Sequence, residues 1–449
     1  MTRFNFLYSQ TQLKQLSEQI IQQALDLGAT SAQVELSESI STDIEVLNQQ
    51  IENFETSHEN QALITVFKGH KKGNVGISNI NSNNMQAIIE QALDIAKYTQ
   101  EDNCNGILDK EFLAKNDINQ NLELFQNPNV SNQELIDNVN ELENLSQQHE
   151  QIKTSDGASI SLTGYNFAMA NSNGFCSGYQ TSRFSKYISL IGENSFGMQT
   201  DYDYDSKRSF DDLENNLIIA NKAQNKIIRR MSRSSHKLSS KPAVIFDTQI
   251  AKSIIGSLIG GLSGNSLYRK LSFLNDSLNT QILPSWINIS EDPFVTKGLS
   301  SCYFDNEGCQ VKKQNIIQDG VVQNYILTSY SSRKLNMKPT GNAGGTHNLT
   351  ISNNFSGNIA KLTSQLTDGI IIIETIGHGL NMVTGDYSVG ANGLIIKNGI
   401  IDGFVDNLTI AGNMREIFNN IQYISDDFNF GSINCGSMLI NEGVISVSS

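Results

Sequence analysis

Leu394–Phe404 reads LIIKNGIIDGF. Two aliphatic runs, Leu394–Ile396 and Ile400–Phe404, flank Asn398-Gly399, and that dipeptide favours the positive φ values a tight antiparallel turn requires. The pattern recurs on both sides. Asp319-Gly320 separates a strand ending at Ile317 from Val321–Leu327, and Asn441–Gly443 separates Met438–Ile440 from Val444–Val447. An apolar strand, Ala243–Phe246, opens this region after Pro242. Residues 242–449 are therefore expected to form a mainly antiparallel β domain.

Upstream the periodicity changes. Leu13, Leu16, Ile20, Ala24 and Leu27 recur at steps of three and four, which predicts an amphipathic helix with Gly28 at its C-terminal cap. Three short strands follow at Ala32–Leu36, Ile44–Val46 and Ala62–Phe67, then a basic turn over Lys68–Gly73 and a second helix through Met85–Ala96. Cys104–Glu150 is largely polar, with helical spacing only around Leu135–Leu145. Asp156–Phe210 is strand-like, with turn signals at Asp156-Gly157 and Asn173-Gly174, and Leu213–Arg230 is helical. The fold class is α+β. An N-terminal α+β domain is expected over 1–228, its strand-rich part spanning about 125–228, with a basic, Ser-rich linker up to Lys241.

The 449 residues suffice for two sizeable cores, and 38% hydrophobic with 17% charged residues marks a globular chain. A net charge of −14 argues against a nucleic-acid partner, because phosphate binding needs a basic face. Arg229, Arg230, Arg233, His236, Lys237 and Lys241 in the linker lack interleaved aromatics and read as a solvated helix end. No apolar run approaches the length of a membrane span or signal peptide. Five scattered cysteines without Cys-x-x-Cys suggest neither zinc ribbon nor disulfide framework, so a reduced, cytoplasmic protein is expected.

A helical zinc peptidase needs two imidazoles on adjacent turns and a carboxylate. After His58-Glu59 the positions for the second imidazole hold Ala62 and Leu63, and after His149-Glu150 they hold Lys153 and Thr154. Neither makes the motif. His347, in GNAGGTHN, His378, between Gly377 and Gly379, and Cys435 lie in Gly-rich loops and form an alternative ligand set, without a spacing signature. Asp201, Asp203, Asp205 and Asp212 match a calcium loop in part, but Ser206 stands where the turn needs Gly. A strand with solvated acids alternating with Tyr202 and Tyr204 is the reading preferred here. Gly256–Gly261 lacks the ending of a phosphate loop.

Several stretches resemble the PmbA/TldE branch of the TldD/PmbA metallopeptidase family: PAVIF at Pro242–Phe246, Asn265–Pro284, Leu327–His347, GDYSVG at Gly385–Gly390, TIAGN at Thr409–Asn413 and Ala92–Leu113. The likeness runs through nearly the whole chain in order. It implies a two-domain α+β fold and a heterodimer with a TldD-like subunit, acting on peptides or unfolded proteins. It also implies zinc in that partner, held by a His-Glu-x-x-x-His helix and a late Cys. The matching segment here, Ala251–Gly264 (AKSIIGSLIGGLSG), has no His, Glu, Asp or Cys, although Cys435 lies near the late position. No catalytic residue and no bound metal are therefore expected in this chain. Gly256, Gly260 and Gly261 suggest close approach of another backbone. Other assignments are an independent protein-binding regulator, after the family's description as a gyrase modulator, and an autonomous metallopeptidase using His347, His378 and Cys435. A homodimer is the assembly considered in the partner's absence.

Overall fold

The computed structural model describes residues 3–80, 84–115, 120–195, 197–428 and 430–448. Phe196, inside the stretch expected to be strand-like, lies outside them. The first helix, α1 (Gln10–Asp26), starts at a capping box in which Ser9 accepts from the Gln12 amide and Gln12 accepts in return. It ends at Leu27, with Gly28 following at φ +100. Next come β1 (Ser31–Leu47), β2 (Gln50–Lys68), β3 (Lys71–Ile77), α2 (Met85–Tyr98) and α3 (Asn132–Ser146). The first half closes with β4 (Ile152–Asn171), β5 (Cys176–Asn194), β6 (Gly197–Lys207) and α4 (Asn216–Met231).

These strands form one antiparallel sheet in the order β3-β2-β1-β4-β5-β6. Alternate residues of β1, among them Val34, Leu36, Ile40 and Ile44, are buried beneath the helices. The opposite face stays largely open and displays Leu63, Tyr165, Tyr187, Tyr202 and Tyr204. The two strands expected at Ala32–Leu36 and Ile44–Val46 are one. Glu38 continues the inward alternation between them, fully buried, accepting from the Leu7 amide and bonded to the His58 ring. Asp156-Gly157 is not a turn but a bulge inside β4, where the register with β5 shifts between Ser155 and Ala158. On β6 the expected orientation is reversed. Asp201, Asp203 and Asp205 are buried and the tyrosines exposed, because α4 supplies the counter-charges, Arg230 to Asp201 and Lys226 to Asp203.

The second half runs β7 (Ala243–Phe246), α5 (Thr248–Gly261), α6 (Gly264–Tyr268), β8 (Ile289–Glu291), β9 (Gln314–Gln318), β10 (Val321–Val322), α7 (Ser329–Lys334), β11 (Leu349–Ile351) and α8 (Ile359–Thr363). It continues with β12 (Asp368–Ile376), β13 (Asp386–Lys397), β14 (Ile400–Asn413), α9 (Met414–Asn419), β15 (Ile421–Ile424), β16 (Ile433–Asn434), β17 (Met438–Ile440) and β18 (Ser446–Ser448). A seven-stranded sheet has the order β15-β17-β7-β12-β13-β14-β18, and a five-stranded sheet the order β10-β9-β8-β11-β16. Pairing is antiparallel except at β7/β12 and β11/β16. The Asn398-Gly399 hairpin forms between β13 and β14. The Asp319-Gly320 turn also forms, but its second strand is only Val321–Val322. Asn441–Gly443 makes no hairpin, since β17 already has β7 and β15 on its two edges and β18 pairs with β14. Phe246, Ile254, Leu258, Ile317, Leu349 and Phe418 belong to one core that α5 shares with both sheets.

The basic stretch is not a solvated helix end. Arg230 bonds Asp201 and Glu374, Arg233 bonds Asp406, His236 meets Asp368, and Arg229 approaches Asp247 at 4.0 Å. Glu374, Asp406 and Asp368 of the second half meet Arg230, Arg233 and His236, so these residues join the two halves. A second junction uses Asp102, which accepts from Tyr330 and Lys334, while Arg333 donates to the carbonyls of Cys104, Gly106 and Ile107.

Candidate functional site

The segment Ala251–Gly264 folds mostly as α5. Asp247 caps the helix by accepting from the Gln249 and Ile250 amides. Burial pushes the Asp247 carboxyl up, while these amides and Arg229 oppose the rise. Ile250, Ala251, Ile254, Ile255 and Leu258 enter the core, which leaves Gln249, Ser253, Gly256 and Ser257 on the outer face. The glycines do not admit a neighbouring backbone. A Cβ on Gly256 would meet nothing within 4 Å, and one on Gly261 would meet the side chains of Leu274 and Phe273. Gly256 lies on the outer face, whereas Gly261 is buried against Leu274 and Phe273.

Cys435 is fully buried, and burial pushes its thiol up to about 12 against the pull of Lys252. The thiol is therefore protonated at neutral pH. Burial lowers Lys252 in turn, with Cys435 and Asp247 opposing. Lys252 on α5 and the Cys435 thiol thus act on each other electrostatically. Asp427, which also acts on Cys435, is already engaged by Ser425 Oγ at 2.6 Å, the Ser437 amide at 2.7 Å and Ser437 Oγ at 2.8 Å.

A catalytic zinc needs about three protein donors around one point. Among the described residues no group of three or more His, Cys, Asp or Glu side chains offers this. His347 is buried with Nδ1 3.0 Å from Glu291 Oε1, whereas His378 is exposed in its glycine-flanked loop and Cys435 is enclosed in the core. The structure does not gather the three, and the residues around α5 do not fit the zinc that the resemblance implies for the partner.

A different polar cluster lies where loops of the second half meet the open face of the first sheet. Asn342 Nδ2 donates to both oxygens of the buried Glu291 at 2.8 and 3.0 Å. A carboxylate accepts, so His347 Nδ1 carries a proton, and in the neutral ring Nε2 is the acceptor. His347 borders a cavity of about 230 Å³ together with Glu35, Phe167, Tyr179, Cys302 and Asp305. Asp305 accepts from the amides of Ala343, Glu307 and Cys309. Burial still pushes its carboxyl up, and pushes the Cys302 thiol to about 12. The Glu291–His347 pair escaped the sequence because 56 positions separate its members.

Family models match almost end to end: PmbA/TldA metallopeptidase domain 1 over residues 32–96, the central domain over 125–231 and the C-terminal domain over 239–447. The metalloprotease PmbA homolog of Haemophilus influenzae is 35% identical over 443 residues, covering 97% of this chain and 96% of that protein. A Bacteroides thetaiotaomicron protein described as a modulator of a DNA gyrase superposes with a TM-score of 0.90 at 22% identity, covering 96% of this chain and 98% of that one. TldE from Thermococcus kodakarensis superposes with a TM-score of 0.82 at 18% identity, covering 96% and 100%. Among the described residues no helix is long and apolar enough to cross a membrane.

Proposed function

Because the chain belongs to the PmbA/TldD metallopeptidase family, we propose that it is the subunit without zinc in a cytoplasmic TldD–TldE-type pair that cleaves peptides and unfolded proteins. The observation that carries this reading is the composition of α5 and its surroundings. Where a zinc helix would present imidazoles and a general base, this helix has aliphatic and small residues, and Cys435 is a buried thiol that burial keeps protonated. Without a Lewis acid there is no activated water, so this chain's part is to shape the cleft, exclude solvent and hold the substrate. Zinc and the general base come from the TldD-like subunit.

The test is reconstitution. The chain and its TldD-like counterpart are purified separately and assayed on a peptide substrate, alone and mixed. Hydrolysis that needs both chains, together with a one-to-one complex in solution, is expected. Unchanged hydrolysis without this chain would overturn the assignment. The regulator reading draws support from the gyrase-modulator description of the Bacteroides protein. Failure of the two subunits to associate would favour it.

A further inference from the structure

The cavity of about 230 Å³ where the second half's loops meet the open sheet face is bordered by Glu35 and His347. Glu35 projects from β1, and among the described residues its carboxylate has no hydrogen-bond or ion-pair partner, burial alone pushing its carboxyl up. In the neutral ring His347 Nε2 is a second acceptor, the ring being held by Glu291 at the other nitrogen. A part-buried carboxylate without a counter-charge is costly, and nothing else in the wall relieves it. Asp305 is held by three backbone amides. Arg208, which acts on Tyr179, is committed to the carbonyls of Ser182 and Leu299.

Phe167, Tyr179 and Phe304 contribute aromatic rings to the lining. Phe167 and Tyr179 meet edge to face with centroids 4.5 Å apart, and Tyr179 meets Phe304 in the same way at 5.4 Å. Whole small-molecule ligands occupy pockets of roughly 300–1,000 Å³, so this smaller cavity suits one long side chain entering from the sheet face. Aromatic rings accept the aliphatic stem and the edge of a cation, and a carboxylate with a ring nitrogen accepts the N–H donors at its tip.

We propose that this cavity is a specificity pocket for a cationic side chain, arginine or lysine, of a peptide lying on the open sheet face. The assignment rests on the reading of the chain as a peptide-handling subunit and names the residue that subunit selects. Glu35 pairs with the guanidinium or ammonium, and His347 Nε2 takes one further N–H. No covalent step is involved.

The test uses the intact chain alone, so its outcome is independent of the partner assay. N-acetyl-arginine methylamide is titrated calorimetrically beside its citrulline counterpart, which keeps the shape but loses the charge, and beside spermidine. The arginine probe is expected to bind at least about tenfold more tightly than the citrulline probe, as one charge-assisted pair supplies. Glu35→Gln, checked for an unchanged urea midpoint, should abolish that preference, and Glu35→Asp should retain part of it. Equal binding of the two probes, a preference that survives Glu35→Gln, or tighter binding of spermidine than of the arginine probe would each overturn the proposal.

Discussion

Arg230 holds the two halves together, and its removal has a calculable effect. The side chain is only 6% exposed, with Nε 2.7 Å from Asp201 Oδ2, itself 9% exposed, and Nη1 2.9 Å from Glu374 Oε2, which is 43% exposed. The guanidinium also lies 5.5 Å from the centre of the Phe404 ring. Arg230→Met keeps most of the aliphatic contact and deletes the charge. The Glu374 bond contributes at most about 1 kcal/mol, because water replaces it readily. Asp201 is different. Left buried and unpaired, it should bring the loss to about 3–5 kcal/mol. Adding Asp201→Asn removes the orphan charge and should recover about 2 kcal/mol of that loss. Urea unfolding followed both by far-UV circular dichroism and by the fluorescence of Trp286, the single tryptophan, reads both halves. A loss under about 1 kcal/mol for the single variant, or a double variant less stable than the single, would refute the reasoning.

Further outcomes follow from local geometry. Lys334, the Cys104 amide and Tyr330 hold the Asp102 carboxyl down at about 2. A depressed carboxylate contributes above its ordinary pKa of about 3.9 and loses that contribution as pH falls towards 2. Asp102→Asn should therefore speed amide exchange across Cys104–Ile107 at pH 7, and the difference from the parent should vanish at the acid end. A difference that persists unchanged below pH 2 counts against the latch. Gly436→Ala places a Cβ 1.8 Å from the Ser425 carbonyl oxygen and should cost about 3 kcal/mol or more, whereas Gly256→Ala meets open space on α5 and should stabilise by about 0.5–1 kcal/mol. Thermal melts of the two variants shifting in the same direction would contradict this contrast.

Local signals were legible where they governed the outcome. The spacing of Leu13, Ile20 and Ala24 gave α1, and Asn398-Gly399 gave the β13/β14 hairpin, since both elements form from neighbours in sequence. Signals that depend on distant partners misled. The continuity of β1 between Leu36 and Ile44 was hidden because Glu38 is buried by partners outside the segment, the Leu7 amide and the His58 ring. The aspartates of β6 looked solvated because nothing local revealed that Lys226 and Arg230 would cover them. Asn441–Gly443 carries a hairpin signal, but sheet order assigns its flanking strands to different neighbours. For the candidate site, the donor-poor composition of α5 was readable directly. The electrostatic interaction of Lys252 with Cys435 and the Glu291–His347 pair were not, because tertiary packing creates them.

The most direct measurement is the zinc content of the chain purified alone, after dialysis against buffered zinc, with a hydrolysis assay on the same sample. The account predicts no stoichiometric ion and no cleavage. One zinc per chain that disappears on Cys435→Ala, accompanied by hydrolysis in the partner's absence, would contradict it.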